Sequence, residues 1–183
     1  MATYFTSDTH FGHSNIIKYS NRPFAHADEM DSTIIRNWNA IVKPDDTVYH
    51  LGDFAVGGGP AMDYLPKLNG QIKFVWGNHD NRLKAAKEQH GWPLDIEHMR
   101  EISIDGQRIV LCHYAMKVWH KSHKGAWHLY GHSHGTLPDD TNSLSLDIGM
   151  DCWNYMPVSM QQIRDRMKKK QWKPVDHHDR ETT

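Results

Sequence analysis

The sequence lacks the features of membrane, secreted and disulfide-rich proteins. No apolar run approaches the roughly 20 residues that a membrane-spanning helix needs, and Met1 to Thr9 lack the basic and apolar regions of a signal peptide. We therefore expect a cytoplasmic protein. The two cysteines, Cys112 and Cys152, are too few for a disulfide framework. We expect two reduced thiols, although a single bridge is compatible with the sequence.

An excess of either charge is also missing. The 21 basic and 22 acidic residues give a net charge of -1, so there is no overall attraction to nucleic acid or anionic membrane. A hydrophobic content of 38% is sufficient for a buried core. We expect one domain at residues 1–175 and a polar, frayed tail at 176–183. Histidine is abundant, with 15 copies, and imidazole is a common metal ligand.

The hydrophobic pattern predicts an α/β domain with helices outside one or two sheets, because strands alternate with helices in the first half and follow one another in the second. A helix is predicted from Asp28 to before Pro44, a polar helix up to Gly91, and a closing helix from Ser159 to about Lys170. Asp105-Gly106 predicts a hairpin turn. Strands are predicted at residues 3–7, 47–51, 72–76, 101–104, 108–112, 127–130 and 144–148.

Five short polar motifs lie where predicted strands end. They are Asp8-Thr9-His10, Gly52-Asp53, Gly77-Asn78-His79-Asp80, His113 and Gly131-His132-Ser133-His134. Each alone is compatible with turn residues and surface histidines. Together they supply two carboxylates, one amide and four imidazoles, namely Asp8, His10, Asp53, Asn78, His113, His132 and His134.

This set of ligands is large enough for two metal ions. Nitrogen and oxygen ligands without thiolate suit Mn, Fe, Zn, Co or Ni better than a cysteine zinc site or an all-oxygen calcium site. A carboxylate such as Asp53 can bridge two ions about 3.5–4 Å apart. Such a pair holds a hydroxide at neutral pH and stabilises the charge that develops during in-line displacement at phosphorus.

The ordered series of motifs resembles that of the calcineurin-like metallophosphoesterases, over Asp8 to His134. Residues 7–13, 15–17, 22–24 and 50–54 are similar to the small predicted phosphoesterases of bacteria and phages. The resemblance implies two mixed β-sheets packed face to face and flanked by helices, an αββα sandwich. It implies that the metals lie at the strand ends.

The resemblance also implies a role for each motif residue. Asp8, His10 and His134 would bind one divalent transition-metal ion, and Asn78, His113 and His132 the other. Asp53 would bridge them, with Mn as the first choice of metal and Fe, Zn, Ni or Co as alternatives. His79 would contact the phosphate and protonate the leaving oxygen, and Asp80 would orient His79.

Substrate contacts are less well defined by the sequence. His13, Asn15 and Arg22 are candidates to hold the phosphate, although an exposed loop with a helix starting at Ser14 explains them equally well. Basic and aromatic residues alternate over 117–128, where we favour a solvated loop over a nucleic-acid contact. The expected substrate is a small phosphomonoester or phosphodiester, with nucleotides and nucleic-acid ends among the candidates.

Several alternatives are weaker. The residues after Asp53 and the Asp80 at the end of the third motif depart from the protein Ser/Thr phosphatase pattern. The chain is too short for the capping domain of the repair nucleases. A non-catalytic interaction scaffold of the same fold, like the retromer subunit, is disfavoured because His79 and every ligand position are retained. A structural zinc site needs four ligands, and here there are seven. The oligomeric state stays open.

Overall fold

The first sheet is mainly parallel and has five strands. The computed structural model describes residues 1–56, 61–91 and 93–175, so the predicted frayed tail lies outside the described residues. In their order across the sheet, the strands are β4 (Asp95–Glu97), β3 (Gln71–Val75), β2 (Thr47–His50), β1 (Thr3–Thr6) and β9 (Val158–Ser159). Strands β1 to β4 run parallel, and β9 pairs antiparallel with β1.

The second sheet has four strands in sequential order. They are β5 (Met99–Ile104), β6 (Gln107–Cys112), β7 (Trp127–Tyr130) and β8 (Ser145–Asp147). The predicted hairpin is confirmed, since β5 and β6 are antiparallel and are joined by Asp105 and Gly106, both with positive φ. The pairs β6–β7 and β7–β8 are parallel. Both sheets are therefore mixed.

Four α-helices are described: α1 (Ser14–Tyr19), α2 (Ala27–Ile41), α3 (Asn81–His90) and α4 (Met160–Met167). The predicted helix before Pro44 is α2, which buries Met30, Ile34 and Trp38. Helix α3 ends, as predicted, at a left-handed Gly91. Helix α4 begins with the predicted capping box of Ser159 and Gln162 but ends three residues before Lys170.

Two apolar clusters hold these layers together. One joins Phe5 and Leu51 of the first sheet to Leu111, Leu129 and Leu146 of the second, together with the buried face of α4. The other packs α1, α2 and α3 against the first sheet. Burial of large apolar side chains contributes about 1.5–3 kcal/mol per residue, so these clusters stabilise the fold. The predicted class of two packed mixed sheets with flanking helices is confirmed.

The two sheets bring their strand ends together at one edge. The carboxyl ends of β1, β2 and β3 face those of β6, β7 and β8, and a bridge between Ser7 and Gly149 connects the two sets. Carboxyl ends of parallel strands are the usual position of sites in α/β folds. Elsewhere in the described part of the chain, no helix is both long enough and apolar enough to cross a membrane.

Candidate metal centre

The motif residues meet at this shared edge because each follows a parallel strand. Asp8 and His10 follow β1, Asp53 follows β2, and Asn78 follows β3. His113 follows β6, and His132 and His134 follow β7. Backbone hydrogen bonds join the first two loops, since the N–H of Asp8 donates to Gly52 and that of His10 to Asp53, each at 3.0 Å. The loops therefore form one connected surface.

The backbone at the ligands is strained. Of the ten residues other than glycine that have positive φ in the described ranges, five are candidate ligands: Asp8, His10, Asp53, His132 and His134. A left-handed conformation costs an L-residue roughly 1 kcal/mol or more. Such residues persist when the surrounding structure fixes them, and they are frequent at functional sites. The strain here directs side chains from several loops toward one point.

Motif glycines permit the loops to approach closely. A Cβ added at Gly77 would lie 2.3 Å from Asp53 Oδ1, and one at Gly131 would lie 2.1 Å from Ser7 Oγ. Both distances are far below contact, so a side chain at either position would push the ligand loops apart. These glycines are required by proximity to neighbouring loops.

The first cluster consists of Asp8, His10 and His134. One ligand atom from each lies within 4.8 Å of the other two. Asp8 and His10 are buried, and His134 is half-buried. His134 Nδ1 lies 2.7 Å from Asp151 Oδ2, and a carboxylate accepts hydrogen bonds, so Nδ1 carries the proton. In the neutral ring, Nε2 is then the free lone pair.

The second cluster consists of Asp53, His113 and His132, with Asn78 beside them. Ligand atoms of the first three also lie within 4.8 Å of one another. His113 Nδ1 donates to the Leu51 carbonyl at 2.7 Å, so the Nε2 lone pair of the neutral ring faces Asn78 Oδ1, 3.0 Å away. The His113 Nε2 lone pair and Asn78 Oδ1 are two acceptors that cannot hydrogen-bond to each other, and a cation bound by both would stabilise them at this distance.

Asp53 lies between the clusters. Its Oδ2 is 3.5 Å from His10 Nε2 and 3.6 Å from His113 Nε2. Its Oδ1 accepts the backbone N–H of His79 at 2.8 Å. One oxygen is thus fixed by the protein while the other faces both sets of imidazoles, as expected of a bridging carboxylate.

Unpartnered polar atoms indicate that the site fits a cation. Within the described ranges, four buried side-chain atoms make no hydrogen bond: Thr6 Oγ1, Asp8 Oδ1, His10 Nε2 and His50 Nδ1. Two of them belong to the first cluster, and both present lone pairs when Asp8 is ionised and His10 is neutral. A buried polar atom without a partner costs free energy, and a divalent ion satisfies both atoms.

The pKa values of the ligands reflect their burial. Burial, together with the charges of Asp53 and Asp147, raises the pKa of Asp8 to about 8 despite the nearby His134. Burial is also the main cause that lowers the pKa of His10, helped by neighbouring cationic groups. Burial alone would lower the pKa of His134, but the hydrogen bond to Asp151 and the charge of Asp8 raise it. The pocket thus resists an uncompensated charge of either sign.

His79 and Asp80 differ in environment. His79 is exposed and lines a cleft of about 640 Å³ with His10, His13, Asp53 and His132, and its ring lies 5.8 Å from that of His10. Asp80 is buried, and burial raises its pKa to about 6. Its carboxylate accepts the backbone N–H groups of Asp53, Phe54 and Gly77 at 2.8–2.9 Å. Asp80 therefore joins the second and third ligand loops, rather than orienting the His79 ring through a hydrogen bond.

The three expected substrate contacts have different positions. His13 lines the cleft, and its Nδ1 lies 3.2 Å from His10 Nδ1. Asn15 is exposed on α1 and is not among the residues that line the cleft in the described structure. Arg22 is buried, and its Nε and both terminal nitrogens donate hydrogen bonds to other groups of the protein. The structure therefore does not support a substrate contact by Arg22, because its guanidinium binds Asp151 and backbone carbonyls.

Two rings of the basic and aromatic stretch are folded inward, while Lys117, His120 and Lys124 are exposed. His128 is buried in β7, where its Nδ1 lies 3.0 Å from the Val110 carbonyl and its Nε2 lies 3.2 Å from the Met116 N–H and from the Tyr114 carbonyl. Trp119 is buried and donates to the Ala126 carbonyl. Its ring packs on that of His128. These two rings are not available to stack on a nucleobase.

Two site residues were not identified from the sequence. The Asp151 carboxylate accepts a hydrogen bond from His134 Nδ1. The Tyr114 ring lies edge-on to the rings of His113 and His132, with centroids 5.0 and 4.8 Å away. The Tyr114 hydroxyl is 3.4 Å from Asn78 Oδ1. Tyr114 directly follows a motif histidine, and this adjacency was a usable signal. Asp151 lies 17 residues after His134, so no local pattern connects them.

Comparisons with known proteins agree with this geometry. The family model described as the calcineurin-like phosphoesterase superfamily domain matches residues 1–149. An uncharacterized protein of Methanocaldococcus jannaschii is 36% identical over 168 residues, covering 87% of this chain and 88% of that protein. The Gene 66 protein of Mycobacterium phage L5 is 24% identical, covering 89% of this chain and 92% of its own.

A solved structure also matches. A protein of unknown function from Aquifex aeolicus is 27% identical, with a TM-score of 0.71, and the match covers 90% of this chain and 98% of that one. The family match extends over most of the chain and includes all five motifs. The chain belongs to the calcineurin-like phosphoesterase superfamily.

Proposed function

We propose that the protein is a dinuclear metal-dependent hydrolase of a small phosphomonoester or phosphodiester. The observation that carries the proposal is the convergence of seven nitrogen and oxygen ligands, among which buried Asp8 Oδ1 and His10 Nε2 make no hydrogen bond. The first cluster would hold one ion, and the second cluster with Asn78 the other. Asp53 Oδ2 faces imidazoles of both clusters and would be shared.

The ions, when bound, supply activation of water and neutralisation of charge on the phosphoryl oxygens. Mn is our first choice, because the ligand set mixes imidazole with hard oxygen donors. The loops fix the ligands through strained backbone and close glycine contacts, so little reorganisation is needed at the site. A preorganised site of this kind lowers the barrier without a new cost during the reaction.

His79 is suited to handle the leaving group. In hydrolysis, a bond forms between phosphorus and the water oxygen while the bond to the ester oxygen breaks. The departing oxygen needs a proton, which the exposed His79 imidazole donates from the cleft wall. His13 lines the same cleft and would contact the phosphate. Asp80 keeps the backbone N–H of His79 near Asp53 by fixing both of their loops.

A nucleotide is a suitable ester because the cleft has an exposed aromatic wall. Tyr19 lines the cleft and is 76% exposed, and its ring lies edge-on to His13 with centroids 6.3 Å apart. An exposed aromatic ring beside the phosphate position can stack on a base. The volume of about 640 Å³ accommodates a mononucleotide-sized ligand.

The test compares phenyl and nitrophenyl phosphoesters in Mn²⁺, with bound metal quantified in each protein. Asp53→Asn should abolish turnover and reduce metal content. His79→Ala should keep two ions and lose about 10²–10⁴-fold in kcat with the phenyl esters. The loss should be smaller with nitrophenyl esters, whose leaving oxygen needs the proton less. His120→Ala is the matched control, since His120 is exposed and pairs with Glu101.

The non-catalytic scaffold of the same fold is the alternative outcome of this experiment. Two bound ions with no turnover of any ester would favour it over the enzyme. An equal loss for both leaving groups in His79→Ala would contradict proton donation by that residue. A cleft that retains an exposed imidazole and strained ligand loops favours catalysis.

A further inference from the structure

Asp151 lies directly behind a ligand of the first cluster. Its Oδ2 is 2.7 Å from His134 Nδ1 and accepts a second hydrogen bond from Arg22 at 2.8 Å. Its Oδ1 accepts from Arg22 Nε, also at 2.8 Å. The carboxylate thus receives three N–H donors. Because both oxygens are already bonded, Asp151 is placed to support a ligand rather than to bind the ion itself.

Arg22 links Asp151 to the loop that carries Asp8 and His10. Its side chain is fully buried, and its two terminal nitrogens donate to the backbone carbonyls of Asp8 and Thr9 at 2.7 and 3.1 Å. The bidentate pair with Asp151 is geometrically defined. One guanidinium therefore connects the loop that carries Asp8 and His10 to the carboxylate that holds His134.

This arrangement determines which His134 nitrogen is available. A carboxylate bonded at Nδ1 selects the tautomer with the proton on Nδ1. The Nε2 lone pair is then available to bind a cation together with Asp8 and His10. A carboxylate in this position also makes the imidazole a stronger donor toward a metal. His113, by contrast, has a neutral backbone carbonyl at the equivalent nitrogen.

We infer that Asp151, anchored by Arg22, is a positioning residue that fixes the His134 ring and strengthens metal binding at the first cluster. This inference rests on the metal site of the proposed function. It deepens that proposal by assigning unequal support to the two ions. Outer-sphere partners of this kind typically contribute 10- to 100-fold to metal affinity.

The test is titration of metal-stripped protein with Mn²⁺ and Zn²⁺ by calorimetry, which resolves the two binding steps without any turnover. Asp151→Asn should weaken one step by about 10- to 100-fold and leave the other within about threefold. The amide offers one acceptor to three donors. Asp165→Asn is the charge-matched control, because Asp165 is exposed on α4.

A double-mutant cycle separates positioning of His134 from a general structural effect. In a His134→Ala background, Asp151→Asn should have no further effect on metal affinity, because the ring it positions is gone. Persistence of the full effect in that background would overturn the inference. So would unchanged affinity in the single variant, or equal weakening of both steps.

A measurement on the unmodified protein covers the case in which Asp151→Asn fails to fold. Long-range nitrogen NMR of the zinc-loaded protein should show a proton on His134 Nδ1 and none on Nε2. The opposite tautomer, or absence of bound metal in the wild type, would overturn the inference. Two bound ions with the expected tautomer but no ester hydrolysis would instead contradict the proposed function and leave the positioning role supported.

Discussion

The two clusters have similar ligands but different surroundings. The first cluster is the more buried one, since Asp8 and His10 are buried and His134 is half-buried. Ionised side chains support it, because Arg22 donates to the carbonyls of Asp8 and Thr9 and Asp151 accepts from His134. The second cluster reaches the surface, where Asn78 and His132 are exposed. Its supports are the Leu51 carbonyl and the Tyr114 ring.

For the two ions of the proposed function, this difference predicts unequal affinity. Ligands that are largely buried and held by fixed charged partners are preorganised, so the first cluster should bind its ion tightly. Exposed ligands lose more freedom on binding and compete with water, so the second ion should bind more weakly and exchange faster. With Asp53 counted in both, each cluster has four candidate ligands, so the surroundings of the ligands should make the two affinities unequal.

Replacing the buried, positively charged side chain of Arg22 should have the largest effect on the free energy of unfolding. Arg22→Met would leave Asp151 without its ionic partner, and breaking a buried ion pair costs about 3–5 kcal/mol. Urea unfolding of the metal-free protein measures the loss. Arg164→Met is the control, because its partner Asp105 is 77% exposed and the change should stay within about 1 kcal/mol. Similar losses for both variants would show that the first cluster has no special ionic support.

Removing one histidine from each cluster should distinguish the ions. His134→Ala should weaken the tighter binding step by more than about 100-fold, because a lost ligand costs more than a lost outer-sphere partner. His132→Ala should weaken the looser step by about tenfold, since water reaches this exposed position and replaces the imidazole. Calorimetric titration with Mn²⁺ measures both steps. Equal losses in the two variants would contradict the proposed asymmetry.

The sequence predicted much of this site because local patterns encode it. Each motif is a strand followed by polar residues, and parallel strands that share an edge bring such residues together. The long helix α2, the Asp105-Gly106 hairpin and the α4 capping box are likewise local signals. Strands β4 and β9 were not predicted, because segments of three and two residues are too short for a hydrophobic period.

The supporting residues could not be predicted for a related reason. Arg22 and Asp151 are separated by 129 positions, so their contact depends on how α1 and the loop after β8 pack. A cationic residue near an anion-binding loop suggests a contact with the substrate phosphate, and this was the expectation for Arg22. The structure buries Arg22 instead, where it pairs with Asp151. For Asp80 the family resemblance implied a role in orienting His79, and the fold adds a contact that no local pattern encodes, since its carboxylate accepts three backbone N–H groups.

Two buried histidines supply an intermediate test through pH. His50 donates to Thr9, between Asp8 and His10, and burial lowers its pKa from 6.5 to about 3. Below pH 6.5 the unfolded chain binds a proton that the folded His50 cannot, so stability falls as pH falls toward 3. His50→Asn should reduce this slope by about 1.4 kcal/mol per pH unit in the metal-free protein.

His128 provides the matching measurement in the other half of the molecule. Burial also lowers the pKa of His128, but the carbonyls of Val110 and Tyr114 oppose that shift by favouring the protonated ring. His128→Asn should therefore remove less of the slope than His50→Asn. Urea unfolding at several values between pH 4 and 7 gives both slopes. A larger change from His128→Asn would reverse the comparison.

The smallest effect is expected at Tyr114, the exposed support of the second cluster. Tyr114 is 48% exposed, and its hydroxyl lies 3.4 Å from Asn78 Oδ1, a long hydrogen bond that water can replace. Tyr114→Phe keeps the ring contacts with His113 and His132 and should weaken the looser metal step by about twofold, as expected for roughly 0.5 kcal/mol. Tyr114→Ala removes those contacts as well, so the loss should be greater. A tenfold loss in Tyr114→Phe would mean that the second cluster is as firmly preorganised as the first.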